Sequence, residues 1–210
     1  VGLREDKKRR TREQIATAAY ELFADRGFET VRVIDVANRA GVSEATLFNY
    51  FPAKEDLVLR DLSSYADSML QTIRDRDAGQ TLLDAFAAYV DQRDGLLPAD
   101  GERLATVSRV IVASPALLAR ERQLYDKYVT ALAELVAQET AARAGDPRPK
   151  VVAYALAGLH RTLVETVRAQ LLAGKSATAA SRLARRQLAT ALPLLTDGFA
   201  GYLQLRAPRA

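Results

Sequence analysis

An all-α fold is predicted for this 210-residue chain by three observations. Apolar residues recur at i, i+3, i+4 and i+7 along nearly the whole chain, and glycines and prolines fall where such runs stop. No run of alternating strand-type residues bounded by turn signals occurs. Glycine and proline number only 11 and 7, and 49% of residues are apolar, enough for a packed core in one large domain or two small ones.

The elements follow in order. Between Thr11 and Arg26, Ile15, Ala18, Ala19, Leu22 and Phe23 share one helical side, and Gly27 closes the helix. Val33–Ala40 and Ser43–Phe51 read as two short helices around Gly41-Val42, with Ser43 placed as an N-cap and Glu44 suited to the positive end of the helix dipole. Pro52 stops the second of these. Longer helices are expected at about Ala53–Arg76, Thr81–Arg93, Glu102–Ala113, Pro115–Ala144, Lys150–Ala173 and Ala177–Tyr202, about nine in all. Pro115 sits in a first turn, where proline is tolerated, whereas Pro193 is expected to kink or split the last helix. The change from short to long helices near Asp56–Leu62 divides the chain into 1–56, a basic arm with a three-helix domain, and 57–210, a larger helical domain.

Composition excludes several kinds of chemistry. With no cysteine there is no disulfide framework, thiolate metal site or cysteine nucleophile, which suits a reducing compartment. One histidine, His160, cannot build a multi-histidine metal site. No GxSxG, P-loop, dinucleotide fingerprint or HExxH pattern occurs, so an enzyme is not expected, nor a metal or a cofactor. No apolar run approaches the roughly 20 residues that span a bilayer, and the charged N-terminal stretch is unlike a signal peptide. The expectation is a cytoplasmic protein.

The net charge is +4, from 30 basic and 26 acidic residues, and it is unevenly placed. Residues 4–12 (REDKKRRTR) alone carry six basic and two acidic side chains. Such an arm is either a solvated terminus or a grip on phosphates, where neutralising each phosphate releases counterions.

Residues 33–51 meet the requirements of a helix-turn-helix. Val33, Val36 and Ala37 form the inner face of its first helix, and small Ala37 lets the second cross closely. Gly41 supplies a left-handed turn residue, Val42 fills the corner, and Leu47 and Phe51 point inward. Glu44, Ala45, Thr46, Phe48, Asn49 and Tyr50 are left for the outer face, a surface suited to a major groove. Taken alone, the segment is also compatible with a plain αα-hairpin inside a bundle.

The wider pattern resembles the DNA-binding domain of the TetR family of transcriptional regulators over about residues 11–60. It is carried by Ile15-Ala16, Leu22-Phe23, Gly27-Phe28, Val36-Ala37, Ala40-Gly41-Val42-Ser43, Thr46-Leu47, Phe51 and Lys54-Glu55-Asp56-Leu57. Two positions depart from it: Arg32 stands where the family usually has Thr, leaving Thr30 to take over capping, and Phe48 where it often has Tyr. Tyr50 then offers the hydroxyl that Phe48 lacks. The Phe48–Phe51 segment and the Arg/Ala/Leu-rich end are also similar to the mycofactocin-type regulator subgroup, some of which sense acyl-CoA.

The resemblance implies a double-stranded DNA operator as partner. Arg32, Ser43, Tyr50 and Lys54 would position the protein on phosphates, supported by Lys7–Arg10 and Arg12. Lys54 is expected in the first turn of the fourth helix. Thr46, Asn49 and Glu44 would read bases, with Phe48 and Ala45 on the same surface. It further implies a homodimer through the last two long helices, a palindromic operator and, most commonly, repression relieved by a small effector. Candidate effector residues are Tyr65, Met69, Phe86, Tyr89, Val107, Ile111, Leu118, Tyr125, Tyr128, His160 and Leu163, for each of which core packing is the plain alternative. His160 reads equally as ligand contact, core residue or dimer contact. The scarcity of inward charge favours a lipophilic or aromatic effector. Two alternatives stay open: a DNA-binding regulator with no effector, and a helical partner-binding scaffold.

Overall fold

The computed structural model describes residues 2–91 and 101–203, with the side chains of 3, 61–63, 65, 101 and 200–203 outside that description. Nine helices follow one another among the described residues: α1 (Leu3–Arg26), α2 (Val33–Arg39), α3 (Glu44–Tyr50), α4 (Asp56–Arg74), α5 (Leu82–Asp91), α6 (Gly101–Val112), α7 (Pro115–Glu139), α8 (Arg148–Leu172) and α9 (Ala177–Leu203). No strand is found among them, as the all-α prediction requires. Residues 92 and 93, expected to end the fifth helix, lie outside the described residues.

Three elements differ from expectation for physical reasons. The basic arm is helical: α1 starts at Leu3, eight residues before Thr11. Its residues are strong helix formers, Glu5 and Asp6 lie in the first turn where the dipole favours them, and Arg9 pairs with Asp6 at 3.3 Å. Next, α7 stops at Glu139 rather than Ala144, because Ala141 takes a left-handed conformation (φ 47°) and Ala142 N–H reaches back to the Ala137 carbonyl at 3.0 Å. Finally, Pro193 sits inside α9 without splitting it. The carbonyl deprived of its donor belongs to Ala189, which is exposed and open to water.

The chain forms two compact units, residues 1–62 with 106–121 and residues 63–105 with 122–210. In the first, Ile15, Ala19, Val36, Ala37, Leu47, Phe51, Ile111 and Leu117 are buried. In the second, α8 packs along α9, and Met69, Ile73, Phe86, Leu132, Leu156 and Leu163 belong to one apolar cluster. A partly buried ion pair joins Arg76, after α4, to Glu139 at the end of α7, and Arg76 also donates to the Ile73 carbonyl at 2.7 Å.

Candidate nucleic-acid interface

The recognition frame lies wholly in the first unit. α2 starts where Arg32 N–H donates to Asp35 Oδ2 at 3.0 Å. The Arg32 guanidinium folds onto the same carboxylate, 3.3 Å from Oδ1, and these two contacts hold the Asp35 pKa below its ordinary value. Thr30 does not cap α2. Its hydroxyl donates to the carbonyls of Arg26 and Gly27, closing α1 instead.

Gly41 takes φ 67°, the left-handed conformation the turn needs, and Val42 N–H returns to the Ala37 carbonyl at 3.0 Å. α3 is then capped by Ser43, whose Oγ accepts Thr46 N–H at 3.1 Å and meets the Thr46 hydroxyl at 2.8 Å. Leu47 and Phe51 are buried, while Glu44, Ala45, Phe48 and Asn49 are exposed and Thr46 and Tyr50 half-buried. Burial on one side thus fixes which residues α3 presents on the other. Phe48, at 41% exposure, is a large apolar ring on a polar face.

Around this frame lie contacts between residues far apart in sequence. Lys54 is in the turn before α4, two residues ahead of its first residue and not within its first turn. Its ammonium donates to the Phe28 carbonyl and lies 4.2 Å from the centre of the Phe28 ring. Burial lowers its pKa, against the pull of Glu29 and Glu55. Arg12 stacks over Phe51, 5.2 Å from the ring centre. The α6–α7 corner holds the segments on both sides of the motif. Ser114, itself buried, donates to Glu29 Oε1 at 2.5 Å, and Arg120 donates twice to Asp56 Oδ1, at 3.1 and 2.9 Å. Sequence reasoning missed Glu29, Ser114 and Arg120, because partners 85 and 64 positions apart leave no local pattern. Asp56 did leave one: it accepts Ala53 N–H at 3.2 Å, a cap three residues back.

Known proteins with this arrangement are DNA-binding regulators. The pattern of bacterial regulatory proteins of the tetR family matches residues 15–60, and that of the MftR C-terminal domain matches residues 80–200. The chain belongs to the TetR family. It is 33% identical over 142 residues to the transcriptional regulator TcmR of Streptomyces glaucescens, covering 65% of this chain and 63% of TcmR. It is 29% identical over 149 residues to MftR of Mycobacterium tuberculosis, assigned to mycofactocin biosynthesis, covering 71% of this chain and 75% of MftR. Among solved structures, Bacillus subtilis FadR in complex with stearoyl-CoA shares the fold, with a TM-score of 0.53 at 21% identity over 89% of this chain and 96% of that one. This TetR-family chain is therefore related to regulators, not enzymes. No helix among the described residues is long and apolar enough to cross a membrane.

The effector candidates of this TetR-family chain divide between the units. Met69, Phe86, Tyr89, Tyr128 and Leu163 join the apolar cluster of the second unit, with Tyr125 packed against it. Tyr128 donates its hydroxyl to Met69 Sδ and meets the His160 ring edge-on, 6.2 Å between centres. Burial pushes the Tyr128 pKa up and the His160 pKa down, to about 4. Val107, Ile111 and Leu118 belong to the first unit, and the Tyr65 side chain lies outside the described residues. An open groove of about 620 Å³ runs instead between α7 and the start of α8, past Val129, Ala133, Lys150 and Tyr154, none of them anticipated.

Proposed function

We propose that this protein is a cytoplasmic transcriptional regulator, a repressor that binds a palindromic operator as a homodimer and is released by a small lipophilic or aromatic effector. The observation that carries the reading is the recognition helix. Leu47 and Phe51 anchor α3, and Glu44, Ala45, Phe48 and Asn49 stand exposed on its other side. In this reading Asn49 pairs bidentately with adenine, Glu44 accepts from a cytosine amino group, Phe48 packs on a thymine methyl, and Thr46 hydrogen-bonds a base edge. Arg32, Ser43, Tyr50 and Lys54 hold phosphates, Lys54 with the two donors that the Phe28 carbonyl leaves.

Dimerisation through α8 and α9 is supported by apolar side chains exposed there: Val151 at 55%, Tyr154 at 50%, Leu172 at 40% and Leu194 at 75%. A two-fold dimer sets the half-sites one or more DNA turns apart, roughly 34–36 Å per turn. Release follows if effector and DNA prefer different conformers, with α4 as the link, since one helix runs from Asp56 beside the motif to Met69 in the apolar cluster. A second reading keeps the operator and drops the effector. Full burial of Met69, Phe86 and Leu163 favours it, and a co-purified or soaked ligand in this cluster would rule it out.

The test is selection of bound fragments from genomic DNA, followed by titration of two variants. A single palindromic sequence is expected to emerge. Asn49→Ala should relax preference at one base pair by roughly 1–3 kcal/mol, while Lys54→Ala should weaken all sequences evenly and reduce the salt dependence. Failure of any sequence to emerge overturns the reading in favour of a helical scaffold.

A further inference from the structure

Resting on that reading, we infer that the N-terminal part of α1 is a rigid cationic rail, which binds the phosphate backbone flanking each half-site through Arg4, Lys8 and Arg12. Three observations converge on it. From Arg4 to Gln14 no side chain of α1 is buried, and with Arg12 on Phe51 and Glu13 paired to Arg60, about 12 Å of helix, residues 4–11, runs on beyond the packed part. From Ile15 onward one face is buried, and the same face continues into the overhang. Lys8, Ile15 and Leu22 are seven apart and share a line, as do Arg4, Thr11 and Ala18, and Arg12 and Ala19. The stripe that carries core residues at one end therefore carries cations at the other. Lastly, Arg12 stacks on Phe51, the C-cap of the recognition helix, which places the inner end of the stripe against the recognition frame.

The six cations of the arm consequently differ. Arg4, Lys8 and Arg12 recur every four residues, about 6 Å apart along the axis and about 40° around it. Lys7 is turned about 100° from the centre of the stripe, and Arg10 about 160°. Among the described residues Arg4 and Lys8 carry no ion pair, whereas Arg9 is paired with Asp6. Glu5 borders the stripe and narrows it on one side. A row of exposed guanidinium and ammonium groups, its inner end against the recognition helix, matches a phosphate backbone in charge and in linear form. Because the rail is helical, it demands duplex at a fixed place beyond the half-site. A loose basic arm would make no such demand.

The experiment compares two charge-matched variants of the full chain on two duplexes, the selected operator with about ten flanking base pairs on each side and the same operator without flanks. Arg4→Gln/Lys8→Gln should lose affinity on the long duplex only. Its fall in affinity between about 50 and 200 mM salt should shrink by about a hundred-fold, because each dimer then neutralises four fewer phosphates and each phosphate carries a slope near 0.9. Lys7→Gln/Arg10→Gln, which removes the same charge off the stripe, should lose much less, and by the same factor on both duplexes. Circular dichroism should show equal helix content in both, since every substituted side chain is exposed. Equal losses in the two variants would overturn the rail in favour of diffuse attraction. Wild-type binding by the Arg4/Lys8 variant would overturn it outright, while the Asn49→Ala result shows separately whether the operator reading stands.

Discussion

Phe51 and Phe86 are equally hidden, at 1% and 0% exposure, one at the end of the recognition helix and the other in the apolar cluster of the second unit. The first has a role its sequence neighbours define: four residues after Leu47, ten after Gly41, it anchors a helix whose other side must face outward. The second is apolar at a helical spacing and nothing more specific. In the recognition motif a side chain's purpose is set by a few residues on either side. In the second it is set by packing among helices distant in sequence, and the same hydrophobic pattern serves equally for a filled core or a ligand cavity.

That contrast can be broken experimentally. Truncating either ring should lower stability by about 3–5 kcal/mol in denaturant melts. Under conditions where both variants remain folded, Phe51→Ala should also lose operator discrimination and Phe86→Ala should keep it. Equal loss of discrimination would mean that the two cores are not independent.

A smaller effect concerns pH. His160 has its pKa pushed from 6.5 to about 4 by burial, so it stays neutral in the fold while the unfolded chain takes up a proton. Above 6.5 both states are neutral and nothing changes. As the pH falls from 6.5 toward 4, the unfolded state binds more protons and stability declines, by about 3 kcal/mol over the whole window. His160 is the chain's one histidine, so His160→Gln should remove the part of the slope between about pH 6.5 and 5. An unchanged slope would show that water reaches the ring, as a ligand cavity would allow.

The smallest effect lies at the edge of the recognition frame. Arg120→Ala should cost about 1–2 kcal/mol, because the Arg120–Asp56 contact is charged but partly exposed. It should also weaken operator binding without altering base preference, measured by titration on the selected sequence and on single-base variants of it.

These contacts show what the chain's spelling contains. The turn at Gly41, the Ser43 cap and the inward pair Leu47 and Phe51 were legible because every partner lies within a few residues. Helix order was legible for the same reason. The end of α7 was not, since Ala141 adopts a left-handed conformation that alanine does not advertise. Lys54 reads as a phosphate ligand in its motif, yet part of its bonding goes to Phe28, 26 positions earlier. Of the effector candidates, Met69, Phe86, Tyr89, Tyr128 and Leu163 fall in one cluster, whereas Val107, Ile111 and Leu118 belong to the other unit. Periodicity reports that a side chain is buried and is silent about where.

The composition of the first unit also bears on the order of synthesis. Residues 106–121 belong with residues 1–62, and Leu117 and Ser114 are among its most buried side chains. A chain emerging from the ribosome therefore displays the entire recognition motif well before it has made the residues that brace it. Domains fold as units, so the DNA-reading head is completed only after residue 121 has emerged, with 63–105 already outside. A fragment cut at residue 62 keeps the whole motif and lacks the bracing.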